Sequence, residues 1–161
     1  MQTSRTYTFQ PVIGDKIYIA QGVDLLPLGF RCFRPDGLEY HPFCDDFGPM
    51  NLSSIAQFIS RLKQLEEAES CPDARIVYCV DPGKRALTNA SFLLGSYMVI
   101  KLGMAAKEVS DCFDWLDASL AENFRDATFA PPDFGLTLED CWRALERACS
   151  IGWVRMTADG E

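Results

Sequence analysis

The chain has 161 residues, 48% hydrophobic and 24% charged, with a formal net charge of -8 at pH 7. That is enough for one domain with a real core. The acidic surplus disfavours nucleic acid and anionic membrane, which need a basic footprint, but it tolerates a basic peptide partner.

In chain order, residues 1–13 read as an N-terminal extension, 14–154 as the domain and 155–161 as a polar tail. Met1–Arg5 lacks the apolar segment of a secretion signal. No apolar run reaches the roughly 18 residues of a membrane span, so an intracellular, cytoplasmic or nuclear location is expected. Asp15–Ala20 alternates and predicts a strand. Gly29–Phe33 predicts a second. Pro35-Asp36-Gly37 is a hairpin signal, with Leu38–Tyr40 as the returning strand. Asp45–Pro49 reads as a loop.

A helix is expected over 51–69, with Ile55, Phe58, Ile59, Leu62 and Leu65 on one face and Asn51 or Ser53 as its cap. Cys71-Pro72-Asp73 breaks the chain before a central strand over 75–80. The next helix, 86–102, is apolar nearly all round and therefore central, with Gly103 ending it. A third helix over 105–120 would turn Val109, Cys112, Phe113, Leu116 and Leu120 inward. Phe129–Gly135 reads as a loop. A fourth helix over 137–149 carries Leu138, Cys141, Trp142, Leu145 and Cys149 as a stripe. There is no internal repeat. Strands first, then helices around a buried strand, predict a single α/β domain with a sheet flanked by helices.

Seven cysteines are scattered singly, and there is one histidine. That pattern supports neither a zinc site nor a disulfide framework. No metal or other cofactor is expected. Cys112 and Cys141, on apolar helix faces, read as buried small hydrophobes.

The most informative stretch is Ile76-Val77-Tyr78-Cys79-Val80-Asp81-Pro82-Gly83-Lys84-Arg85. A strand, then Cys-x5-Arg, then a buried helix is the geometry of a cysteine-phosphatase cradle. Loop amides and the helix N-terminus would bind phosphate and favour the thiolate. Cys79 would be the nucleophile and Arg85 the phosphate fork. Asp46, on an upstream loop, would protonate the leaving oxygen.

The cradle looks degenerate. Tyr78 precedes the cysteine, Pro82 has no amide to donate, Gly83 comes one place late and Ala86 follows the arginine. Asp81 facing a phosphate at about 5 Å would repel it by about 3 kcal/mol at an effective dielectric near 20. A lost amide would cost about 1.5–3 kcal/mol more, and Asp81 would raise the Cys79 thiol. Together these amount to roughly three decades of rate or more. Lys84 could offset part of this or pair with Asp81.

Plainer readings stand beside these. Cys79 reads equally as a buried thiol at a strand end, Arg85 as a helix-start residue paired to Asp81 or Asp46, and Asp46 as a loop or capping carboxylate. His41 reads as surface and Trp142 as core. Trp115 reads as half exposed and available to a partner. Asp126 could pair with Arg125 or brace the loops.

Several stretches carry a wider resemblance: Gly14–Ala20, Asp46-Phe-Gly-Pro-Met-Asn-Leu52, Cys79–Arg85, Asn89–Tyr97, Phe124-Arg-Asp-Ala-Thr-Phe129 and Leu136–Cys141. Taken in order they resemble the N-terminal domain of the cell-division-cycle-14 type dual-specificity phosphatases, and the resemblance spans about residues 14–150.

It implies a phosphatase-like fold that has lost catalysis and packs on a second, catalytic domain. It also implies a shared groove favouring phosphoserine before proline, with a basic residue beyond. The segment between Arg85 and Asn89 looks longer than the family's, and the catalytic His-Cys-x5-Arg domain is absent from this sequence. Three functions follow as expectations: a non-catalytic recognition or scaffolding domain, an active or weakly active phosphatase using Cys79, Arg85 and Asp46, or a free-standing phosphate or phosphopeptide reader. Asp81 bonded to Arg85 or filling the cradle would favour the first. Asp81 turned away, with Cys79 and Arg85 facing one empty pocket, would favour the others.

Overall fold

The computed structural model describes residues 8–23, 25–68 and 74–155. Its elements are β1 (Thr8–Ile13), β2 (Ile17–Gln21), β3 (Phe30–Phe33), α1 (Leu52–Glu66), β4 (Arg75–Val80), α2 (Lys84–Ile100), α3 (Ala106–Cys112), β5 (Phe124–Arg125), β6 (Gly135–Leu136) and α4 (Leu138–Ser150). The expected break at Cys71-Pro72-Asp73, the tail over 157–161, the end of the first helix at Glu69 and residues 1–7 lie outside the described residues.

Four strands form one sheet in the order β1-β2-β4-β3. β1 runs antiparallel to β2, while β2 and β3 both run parallel to the central β4. The alternation of strand side chains assigns each face. Ile17, Ile19, Ile76, Tyr78 and Val80 join the helical core. On the opposite face, the rings of Phe9, Tyr18 and Phe30 meet at 5.2–5.5 Å, and the Arg75 guanidinium lies over Phe30.

Helix α1 follows its apolar period. Ile55, Phe58, Ile59 and Leu62 are buried, Leu65 is partly buried, and the Asn51 side chain caps the helix by accepting from the Ser54 amide. α2 is buried along most of its length and packs against α1, α3 and α4. Gly103 follows in a left-handed conformation. α4 begins with a capping box between Thr137 and Asp140 and buries Cys141, Trp142 and Leu145. No helix among the described residues is long and apolar enough to cross a membrane.

Three expectations need correction. Residues 8–13, taken as part of an N-terminal extension outside the domain, form the edge strand β1 of its sheet, with Thr8 and Val12 buried. Pro11 is tolerated there because an edge position and the adjoining bulge require fewer ladder bonds.

The returning strand over Leu38–Tyr40 does not form. Gly37 makes the turn with a left-handed φ of 71°, and Arg61 of α1 donates to the Asp36 carbonyl. Leu38 and Tyr40 then fold in against the core instead of pairing with β3.

The helix expected over 105–120 stops at Cys112. Beyond it the chain tightens into turns, with Leu116 N–H donating to Phe113 and Leu120 N–H to Asp117. The Asp117 carboxylate accepts from the Ser119 amide and hydroxyl, a local bond that competes with helix continuation. Phe113, Leu116 and Leu120 reach the core from those turns. The short β5–β6 hairpin, by contrast, had no sequence signal.

Candidate functional site

The site sits where β4 ends and α2 begins, so only Asp81, Pro82 and Gly83 lie between strand and helix. Gly83 has a φ of 119°, which a side chain would strain. Buried Gln21, at the end of β2, donates its amide to the carbonyls of Asp81 and Gly83, at 2.5 and 2.9 Å. This side chain pins the loop from the sheet, and the sequence reading did not single it out.

Cys79, the last residue but one of β4, is half-buried. Its Sγ lies 2.9 Å from the Sγ of Cys32 on β3, and it also contacts the Val77 carbonyl at 3.6 Å. Burial and then the Cys32 contact push the Cys79 thiol up to about 12, against a smaller lowering from Arg34. A cradle nucleophile needs the opposite shift. The cause differs from the one expected, because Asp81 does not govern this thiol.

Asp81 is solvent-exposed and ion-paired to Arg34 at 2.6 Å rather than to Arg85. Lys84 pairs with the Ala118 carbonyl at 2.6 Å, so it neither offsets nor binds Asp81.

Arg85 lies in the first turn of α2. It takes neither of the carboxylates named for it but pairs with Asp45, the residue before Asp46, at 2.9 and 3.2 Å and with Glu122 at 2.5 Å. Asp45 also accepts from Arg125 at 2.6 Å, and the two guanidinium groups hold its carboxyl below the usual range.

Among the described cavities, none is lined by both Cys79 and Arg85. A cavity of about 170 Å³ is lined by Cys79, Asp81, Arg34, Tyr40, Ala86 and Asn89 among others, and Arg85 is not in its wall. Asp81 lines this cavity together with Cys79.

Asp46 is buried at 3% exposure. It accepts from the Tyr40 hydroxyl and from the amides of Phe43 and Cys44, at 3.1 and 2.7 Å. These bonds, led by Tyr40, lower its pKa, and the same contact pushes Tyr40 up to about 12. A carboxyl held ionised is a poor proton donor near neutral pH. Tyr78 is core, packed between Phe33 and Phe58.

The remaining candidates fall as follows. His41 is exposed. Trp142 is buried, and its indole N–H donates to the Phe92 carbonyl at 3.3 Å. Trp115 is half-buried and bonds the Cys112 carbonyl. Asp126 does not pair with Arg125, which turns to Asp45 and the Ala130 carbonyl.

The fold brings the distinctive stretches together. Asn89 donates to the Phe47 carbonyl at 2.6 Å, and the Phe47 and Phe124 rings meet at 5.1 Å. A Cβ on Gly48 would strike Asn89 and Phe124, so only glycine fits that contact. The sequence reading missed Cys32, Arg34, Asp45 and Glu122. The first two carried a usable signal: on a strand, i and i+2 share a face, and Cys32/Arg34 matches Cys79/Asp81 on the neighbouring strand.

Beside Arg85 opens a second, larger groove of about 570 Å³, lined by Lys84, Asp114, Asp117, Glu122 and Glu139 over buried Trp142. Four of the five charged residues in its wall are acidic, with Glu122 paired to Arg85 and Glu139 to Arg143.

Residues 28–148 match the family model "dual specificity protein phosphatase, N-terminal half". The chain is 32% identical over 121 residues to the dual specificity protein phosphatase CDC14C of Symphalangus syndactylus, covering 75% of this chain and 25% of that protein. It is 33% identical over 163 residues to the tyrosine-protein phosphatase cdc-14 of Caenorhabditis elegans, covering 81% of this chain and 22% of the relative. Against the tyrosine-protein phosphatase CDC14 of Candida albicans the identity is 32%, covering 70% and 21%. The chain thus spans about a quarter or less of the length of these relatives.

Proposed function

This chain belongs to the family of N-terminal halves of dual specificity protein phosphatases, and from that premise we propose that it is a non-catalytic domain that contributes substrate recognition or scaffolding to such a phosphatase. The observation that carries this reading is the state of Arg85. Its guanidinium is engaged by Asp45 and Glu122, and Arg85 is in the wall of neither described cavity that Cys79 lines, so thiol and fork do not converge on one phosphate. The raised Cys79 thiol and the ionised Asp46 support the same reading.

A recognition role has a surface to act through. The groove beside Arg85 presents Asp114, Asp117, Glu122 and Glu139, which suits a peptide with basic residues near its phosphosite. On this reading the partner is a catalytic phosphatase domain, in the same or a separate chain, and the setting is the cytoplasm or nucleus of a dividing cell.

The deciding experiment is hydrolysis of a small aryl phosphate between about pH 5 and 7, beside Cys79→Ser. The expected result is no turnover above the variant. Turnover that disappears with Cys79→Ser would establish instead an active phosphatase using Cys79, Arg85 and Asp46.

A further inference from the structure

Cys32 and Cys79 sit on adjacent parallel strands. The ladder aligns Cys32 with Val77, so Cys79 is the diagonal neighbour two residues further on. Arg34 and Asp81 repeat the same offset of 47 residues in their ion pair. The two contacts form a short diagonal ladder at the ends of β3 and β4, and the ion pair fixes the strand ends on which the thiols stand.

Both cysteines are free, and Cys32 is exposed. Their sulfurs lie 2.9 Å apart, so a bond of about 2.05 Å requires an approach of only about 0.9 Å. Cys79 is half-buried and hydrogen-bonded, whereas Cys32 is exposed and is the more open of the two to an oxidant. That asymmetry assigns the order of events.

We propose that Cys32 and Cys79 form a reversible redox pair, in which a peroxide oxidises Cys32 and Cys79 resolves it to a disulfide that staples edge strand β3 to central strand β4. In the first step the Cys32 thiolate attacks one peroxide oxygen. The O–O bond breaks, a sulfenic acid forms and hydroxide leaves to take up a proton as water. In the second step the Cys79 sulfur attacks the Cys32 sulfur. The S–O bond breaks, and the Cys79 proton leaves with the departing hydroxide as water. Two thiols lose two electrons and one peroxide becomes two waters. A dithiol reductant returns the pair to thiols by exchange. The proposal is independent of whether the domain recognises substrate.

The test exposes the purified chain to hydrogen peroxide, alkylates remaining thiols in denaturant and digests it without reduction for mass spectrometry. The expected product is a Cys32 peptide joined to a Cys79 peptide, two hydrogens lighter than their sum. It is abolished by dithiothreitol and by Cys32→Ser. A second readout is the melting temperature, which rises on oxidation, falls back on reduction and does not respond in Cys32→Ser. Separately alkylated Cys32 and Cys79, a Cys32 sulfinic acid without a link, or a bond from Cys32 to any other cysteine would each overturn the pair.

Discussion

At the scale of single residues, neighbours one place apart in the sequence have exchanged roles. Asp46 was the candidate acid and Asp45 an unremarked neighbour, yet Asp46 is buried under Tyr40 and two amides while Asp45 bridges Arg85 and Arg125. This gives a signed pH prediction. An unfolded aspartate titrates near about 3.9, and Asp46 has a lowered folded value. Its carboxylate therefore contributes stability that is fully present above the unfolded value and is lost as pH falls through the folded one. Asp46→Asn should melt below the parent at pH 7, and the gap should narrow as pH drops below about 4. Thermal melts across that range check it, and a gap independent of pH would count against the carboxylate's role. Cys79 illustrates the same point in chemistry, since the Cys-x5-Arg spacing names the residue but its thiol is set by burial and by Cys32.

At the scale of elements, the helices whose apolar period was strong came out within a few residues of their expected bounds. The stretch after Cys112 did not, because Asp117 and Ser119 offered the backbone another partner. Two substitutions test what fixes these helices. Thr137 caps α4 in a reciprocal box with Asp140, so Thr137→Ala should cost about 1 kcal/mol, read as a lower denaturant midpoint with unchanged slope. Gly95 on α2 faces Trp142 of α4, and an added Cβ would stand 2.3 Å from the indole. Gly95→Ala should therefore cost about 1–3 kcal/mol through overpacking, despite alanine's better helix propensity. A stabilised variant would show that α2 and α4 can separate without loss.

At the scale of the molecule, one hydrophobic cluster links the sheet to all four helices, and a domain of this size is expected to unfold in one step. Fluorescence of buried Trp142 and far-ultraviolet circular dichroism should give coincident urea transitions; separated transitions would mean that α4 leaves before the sheet. The acidic groove gives a second prediction at this scale. A basic phosphopeptide should bind more weakly as salt is raised, and more weakly to Glu139→Gln than to the parent, checked by fluorescence titration.

The sequence by itself determined the fold class, the central strand, three of the helices near their places and the start of the helix at Ala106, because hydrophobic period and caps are local properties that each segment carries with it. It also showed directly that residues 79–85 depart from a cysteine-phosphatase loop, since Pro82 offers no amide and Asp81 brings a carboxylate. Tertiary structure alone decided which charge meets which. Asp81 went to Arg34 and Arg85 to Asp45 and Glu122, partners on other elements that spacing along the chain does not rank. It likewise decided that Leu38–Tyr40 folds inward and that Thr8–Ile13 adds an edge strand. Such choices rest on which surface is left to be covered once the core has closed, and that surface exists only after the elements have packed.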